Sequence, residues 1–170
     1  MPTLGLFAKR PVPGAVKTRL TAVIGDEAAA RFAEVSLRTL LARVRGLDLR
    51  RVMAHAADSQ ADRDWFGQFE GYELWPHPPG DLGAHLTAWF EIACASDDCV
   101  LVIGSDSPTL PLEYIIEALA ALDHHDCVIG RAEDGGYYLL GLRRPVPQLF
   151  ERISWSSPLV LAQTLTRALT

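Results

Sequence analysis

Short apolar runs alternate with amphipathic segments from Thr3 to Arg131, and this alternation constrains the fold more than any other feature. Thr3–Ala8, Leu49–His55, Tyr72–Pro76, Cys99–Gly104 and Asp126–Arg131 read as strands. Between them, Glu27–Arg45, Gln60–Phe69, Ala84–Ala95 and Leu112–Leu122 read as helices. In the first of these, Ala29, Phe32, Ala33, Leu37, Leu40, Leu41 and Val44 recur at helical spacing, with Asp26 as the cap and Gly46 as the stop. Pro111 starts the helix at Leu112. Strands separated by helices predict a parallel sheet with helices on both faces. Asp134-Gly135-Gly136 between Arg131 and Tyr137–Leu142 predicts a tight turn and one late antiparallel strand. A last helix follows, capped by Ser157 with Pro158 at its first position. The expected fold is a Rossmann-like three-layer α/β/α sandwich with a mostly parallel sheet. No linker or repeat divides residues 1–170, so a single domain is expected.

In open sheets of this kind the ligand sits beyond the carboxyl ends of the strands, where strand order reverses. That point usually lies between the first and fourth strands. The loops after those two strands are the most unusual in this chain. The first, Arg10–Leu20, carries Pro11, Pro13 and Gly14 and reads as an irregular loop. Together with Lys9 it places Lys9, Arg10, Lys17 and Arg19 close together in a chain of net charge -5. Of 16 Lys and Arg residues only two are Lys, and both lie here. Lysine is a compact point charge suited to phosphate, arginine a planar fork. At about 4 Å an ion pair is worth roughly 1 kcal/mol in water and about 4 kcal/mol at an effective dielectric near 20. Such a cluster is therefore effective in a partly dry crevice. Gly14 lets the backbone approach a phosphate, and Thr18 adds a hydroxyl and an amide. A Walker A loop is excluded, because Val16 stands where that motif needs Gly before Lys-Thr.

The second loop, Gly104-Ser105-Asp106-Ser107-Pro108, follows the most apolar strand. Asp106 is placed to bind Mg²⁺ or Mn²⁺, which favour oxygen ligands and phosphate partners. Asp-Ser-Pro is equally good turn chemistry. Asp134 reads either as a turn residue or as an acceptor-side carboxylate. Gly80-Asp81-Leu82-Gly83 reads either as a helix cap or as a backbone contact to a base or ribose. Trp155 either lines an acceptor pocket or fills the core. The five histidines show no metal-ligand spacing and read as surface or strand-end residues.

The acidic balance argues against a general nucleic-acid binder. With 49% hydrophobic and 22% charged residues the chain reads as globular and soluble. No run reaches the length of a membrane span, and no signal peptide is evident. Cys94, Cys99 and Cys127 form no C-x-x-C pair and read as buried free thiols, consistent with a reducing, cytoplasmic setting.

In order, Phe7-Ala8-Lys9-x-Pro11-x-Pro13-Gly14-x-Val16-Lys17-Thr18-Arg19-Leu20, Gly80-Asp81-Leu82-Gly83, Ile103-Gly104-Ser105-Asp106-Ser107-Pro108, Asp134-Gly135-Gly136-Tyr137 and Ile153-Ser154-Trp155-Ser156 span nearly the whole chain. This set resembles a bacterial family of glycosyltransferase-like proteins with the GT-A, nucleotide-diphospho-sugar transferase fold. It is more distantly similar to 2-phospho-lactate guanylyltransferase and the molybdenum-cofactor nucleotidyltransferases. The resemblance implies a metal-dependent transferase with a nucleoside-phosphate donor and a small-molecule acceptor. It implies nucleotide contacts from Lys9, Pro13, Gly14, Lys17, Thr18, Arg19, Gly80, Asp81 and Ser105, with metal at Asp106. Lys17, Asp106 and Asp134 form the expected catalytic set, with Gly135, Gly136 and Trp155 on the acceptor side. The chain departs from the family pattern at Ala84-His85, where Glu-Arg is usual, and at Arg131, where Pro is usual. The family's later Asp-x-Asp segment is not within these residues. Those departures leave a second expectation, a non-catalytic nucleotide or nucleotide-sugar binder that keeps the fold.

Overall fold

The computed structural model describes residues 1–56 and 59–169. Six strands form one sheet: β1 (Thr3–Ala8), β2 (Arg50–His55), β3 (Glu73–Pro76), β4 (Val100–Gly104), β5 (Cys127–Arg131) and β6 (Tyr137–Leu142), in the order β3-β2-β1-β4-β6-β5. β1 pairs in parallel with β2 and β4, and β2 with β3. β6 lies between β4 and β5 and is antiparallel to both, as the Asp-Gly-Gly turn predicts. β5 therefore runs the same way as β1 to β4. The carboxyl ends of these five strands and the start of β6 share one edge of the sheet.

Side chains alternate across the sheet with the strand period of two. Leu4, Leu6, Met53, Leu101, Ile103 and Leu139 face one layer, formed by α2 (Asp26–Val44), α3 (Gln60–Gly67) and α5 (Leu112–Leu122). Val52, Val100, Val102, Leu140 and Leu142 face the other, formed by α4 (Leu82–Ala93) and a 3-10 turn at Pro147–Phe150. Gly5 is a matter of space in that second layer, because a Cβ there would lie 2.6 Å from the Trp89 ring.

Several local expectations need correction. The predicted loop ends earlier, since a short helix α1 (Thr18–Ile24) begins inside it. Lys17 in a left-handed conformation starts that helix, and Thr21 Oγ1 donates back to the Thr18 carbonyl. Asp26 is the first helical residue of α2 and Gly25 the cap, because Gly25 (φ 80) makes the turn between the two helices. Phe32 is exposed, since its place on α2 lies to the side of the stripe Ala29, Ser36, Leu37, Leu40 and Val44 that meets the sheet. The last helix, α6 (Val160–Ala168), starts after Ser157, whose hydroxyl instead accepts from the Leu159 amide in the preceding turn. Asp81 caps α4 as expected, accepting from the Ala84 amide at 2.9 Å. The three cysteines are free and half-buried rather than fully buried. No helix of the described residues is long and apolar enough to cross a membrane.

Candidate functional site

β1 and β4 are neighbours, so their two following loops leave the sheet side by side. The Ser105 amide donates to the Phe7 carbonyl at 3.1 Å and stitches the second loop to the end of β1. From the back, Arg43 of α2 donates to the Pro108 carbonyl at 2.6 Å. Between these anchors Asp106 projects into solvent, its side chain 76% exposed. Lys17 reaches across from the first loop, with Nζ 2.8 Å from Asp106 Oδ1. The carboxylate and the basic loop thus meet where the topology predicts.

The four cations of the loop separate in space. Arg10 turns away to Asp62 of α3 at 3.3 Å. Lys9 stays exposed, and its charge is felt by His77 just beyond β3. Arg19 is exposed on α1. Lys17 lies beside Asp106, with Nζ 5.9 Å from the centre of the Phe32 ring. The two lysines flank the crevice, one toward β3 and one toward β4.

The Asp134 turn occupies the same edge. Asp134 Oδ1 accepts from the Gly136 amide at 3.0 Å, closing an Asx-type turn. The Gly135 carbonyl accepts from the Leu161 amide at 2.8 Å, which ties the turn to the start of α6. Half-buried Trp155 packs on the first turn of α4, where a Cβ on Gly83 would lie 3.0 Å from its Nε1. One indole therefore connects the Gly80–Gly83 segment with the Ile153–Ser157 segment.

The carboxyl edge also carries a group that sequence reasoning missed. His77 stacks on His85 at 4.3 Å between ring centres and packs on Phe7 at 4.8 Å. Its amide donates to the His55 carbonyl at 2.8 Å. Burial, then the neighbouring His85, His55 and Lys9, push its imidazole down to about 4. Its Nε2 is buried without a hydrogen-bond partner. The spacing His77-x₇-His85 gives no hint of contact, because one residue follows a strand and the other lies on a helix. Phe32, expected on the apolar face of α2, instead stands exposed beside Lys17.

Among the described residues no group of three or more His, Cys, Asp or Glu side chains is placed to hold a metal ion. The donor chemistry present is one exposed carboxylate beside a phosphate-type lysine. That fits an ion shared with substrate phosphates and water, as Mg²⁺ commonly is, and does not fit an all-protein cage.

Residues 38–157 match the model of the family described as uncharacterized protein conserved in bacteria, DUF2064. The chain belongs to this family. This DUF2064 protein superposes on a candidate nucleotide-diphospho-sugar transferase from Desulfovibrio desulfuricans G20 with a TM-score of 0.93 and 30% identity, covering 99% of this chain and 76% of that one. A 4-diphosphocytidyl-2C-methyl-D-erythritol synthase from Anaerococcus prevotii DSM 20548 gives a TM-score of 0.59 at 10% identity, over 98% of this chain and 83% of that one. Rv0371C of Mycobacterium tuberculosis H37Rv, in complex with manganese, gives 0.54 at 14% identity, over 90% and 77%. The last two likenesses concern the fold alone. A comparison with curated proteins found no match. The DUF2064 protein thus has the nucleotide-diphospho-sugar transferase type of fold expected from its motifs.

Proposed function

We propose that this protein transfers a nucleotidyl or glycosyl group from a nucleoside-phosphate donor to a small-molecule acceptor. The observation that carries the reading is the Lys17–Asp106 pair at the β1/β4 edge of a transferase-type fold. Lys17, with Lys9 and Arg19, holds the donor phosphates and stabilises charge on the leaving group. Pro13, Gly14, Thr18 and Ser105 shape the phosphate cradle, and Gly80 and Asp81 contact the base or ribose. Asp106 is the residue that would hold Mg²⁺ or Mn²⁺. Such an ion, when bound, supplies charge neutralisation and polarisation of the reacting phosphate. Asp134, Gly135, Gly136 and Trp155 border the acceptor, and the site acts mainly by positioning reactants.

In nucleotidyl transfer an acceptor oxygen bonds to the α-phosphorus, the bond from that phosphorus to the β-phosphate oxygen breaks, and pyrophosphate leaves. In glycosyl transfer an acceptor oxygen bonds to the anomeric carbon and gives up its proton to solvent, the bond from that carbon to the β-phosphate oxygen breaks, and a nucleoside diphosphate leaves. Calorimetry with a panel of nucleoside triphosphates and nucleotide-sugars, with and without Mg²⁺, tests the reading. The expected result is Mg²⁺-dependent binding that Lys17→Ala abolishes. No binding by any member, or binding indifferent to Lys17→Ala, sinks it. Pyrophosphate release then separates the two reactions.

A second reading keeps the donor site without turnover. It is favoured by Asp106 belonging to no larger group of metal-capable side chains among the described residues. Binding without product across the panel supports it.

A further inference from the structure

We propose that Lys17 and Asp106 mask each other, so that the site takes a divalent cation and a nucleotide's polyphosphate together and either one poorly alone. The inference rests on the donor-site reading above and adds a coupling to it. Lys17 Nζ lies 2.8 Å from Asp106 Oδ1. The ammonium is the group a phosphate needs, and the carboxylate is the group a cation needs. In the pair the ammonium and Asp106 Oδ1 already occupy each other. A cation arriving alone meets a carboxylate with a positive charge at hydrogen-bond distance. A polyphosphate arriving alone competes with Asp106 for the lysine and faces its negative charge. Arriving together, the two ligands divide the pair between them.

The surroundings let the pair open at little cost. Asp106 is 76% exposed while the Lys17 side chain is 19% exposed, so the pair opens from its carboxylate side, where water competes for the contact. Lys17 sits at φ 50, ψ 41 ahead of α1, a helix with no buried residue, and Gly25 at φ 80 bounds the other end. The exposed Phe32 ring, 5.9 Å from Nζ, offers the ammonium a second place to rest. Because coupling between two ligands is reciprocal, the factor by which the polyphosphate strengthens cation binding equals the factor by which the cation strengthens polyphosphate binding.

The test uses Mn²⁺ alone, followed by electron paramagnetic resonance, and inorganic tripolyphosphate in EDTA, followed by calorimetry. Lys17→Met is expected to bind Mn²⁺ alone about three- to tenfold more tightly than the wild type, the range expected for lifting one nearby like charge at an exposed site. Asp106→Asn is expected to gain a similar factor for metal-free tripolyphosphate. Lys17→Gly is run beside Lys17→Met, since glycine takes the left-handed conformation without strain. Gains in both single-ligand affinities support the mask. Failure of either to rise overturns it. A wild-type protein that binds tripolyphosphate neither with Mn²⁺ nor without it sinks the donor-site reading itself. One that binds the two together, with variants showing no gain, sinks only the mask.

Discussion

The two edges of the sheet treat charge in opposite ways. At the amino edge Asp97 is enclosed, its side chain 8% exposed. It accepts from the Thr3 hydroxyl at 2.6 Å and from the Met1 ammonium at 3.1 Å, with Arg50 at 3.6 Å. Arg50 in turn holds Glu73 through two nitrogens. Asp97, the Met1 ammonium, Arg50 and Glu73 each have a partner within the chain. At the carboxyl edge Asp106 has one partner and open solvent, Lys9 and Arg19 are exposed, and His77 keeps a buried nitrogen unpartnered. A carboxylate saturated by its own fold stabilises that fold. One left open to solvent can serve a ligand.

The sharpest way to probe the carboxyl edge is through its backbone rather than its charges. Gly135 has φ 85, and a Cβ there would lie 2.2 Å from the Pro158 carbonyl oxygen. Gly135→Ala is expected to cost about 2–3 kcal/mol, since neither the conformation nor the neighbouring backbone can yield cheaply. Urea unfolding measures it. A loss below about 1 kcal/mol would show that the turn is not pinned.

Asp97→Ala comes next, at about 2 kcal/mol, because a buried hydroxyl and two cations lose their acceptor. Nucleotide affinity of the folded variant should be unchanged. The Asp97 carboxyl is pushed up by desolvation, but the Thr3 hydroxyl, the Met1 ammonium and Arg50 outweigh this and hold it below 3.8. Its contribution is therefore present above pH 3.8 and lost only as pH falls through the lowered value.

The opposite edge should fail earlier on acidification. His77 titrates near 4 in the fold against 6.5 when free, so the folded state binds fewer protons between those values. Stability should fall as pH drops from 6.5 to about 4, by about 1–2 kcal/mol once its partial exposure is allowed for. His77→Phe should flatten that slope in denaturation curves taken across the window. An unchanged slope would remove His77 as its source. The smallest effect belongs to Asp106→Asn, expected to shift stability by no more than about 0.5 kcal/mol despite its predicted effect on ligands. A large stability loss would place Asp106 with Asp97 and erase the contrast between the edges.

Much of this was legible in the order of residues. Strand and helix periods set the layers, and the Asp134-Gly135-Gly136 turn announced the antiparallel β6. The adjacency of the two loops followed from the usual place where strand order reverses. The places where expectation and structure part are local. Thr18 begins a helix inside an expected loop, Asp26 yields the cap to Gly25, and the cap expected from Ser157 serves a turn. Helix ends depend on a few backbone angles that neighbouring segments decide.

The sequence by itself determined the sheet, its covering helices and the gathering of basic and acidic loops on one edge. Those features rest on hydrophobic period and turn chemistry, which act over a few residues at a time. Only the tertiary structure decided that Lys17 rather than Arg10 faces Asp106, that Phe32 is exposed beside it, and that His77 stacks on His85. These are contacts between segments distant in the chain. Their distances follow from how the layers pack, so no local pattern encodes them. The basic loop with both lysines is a property of the sequence, and its division between Asp62, His77 and Asp106 is a property of the fold.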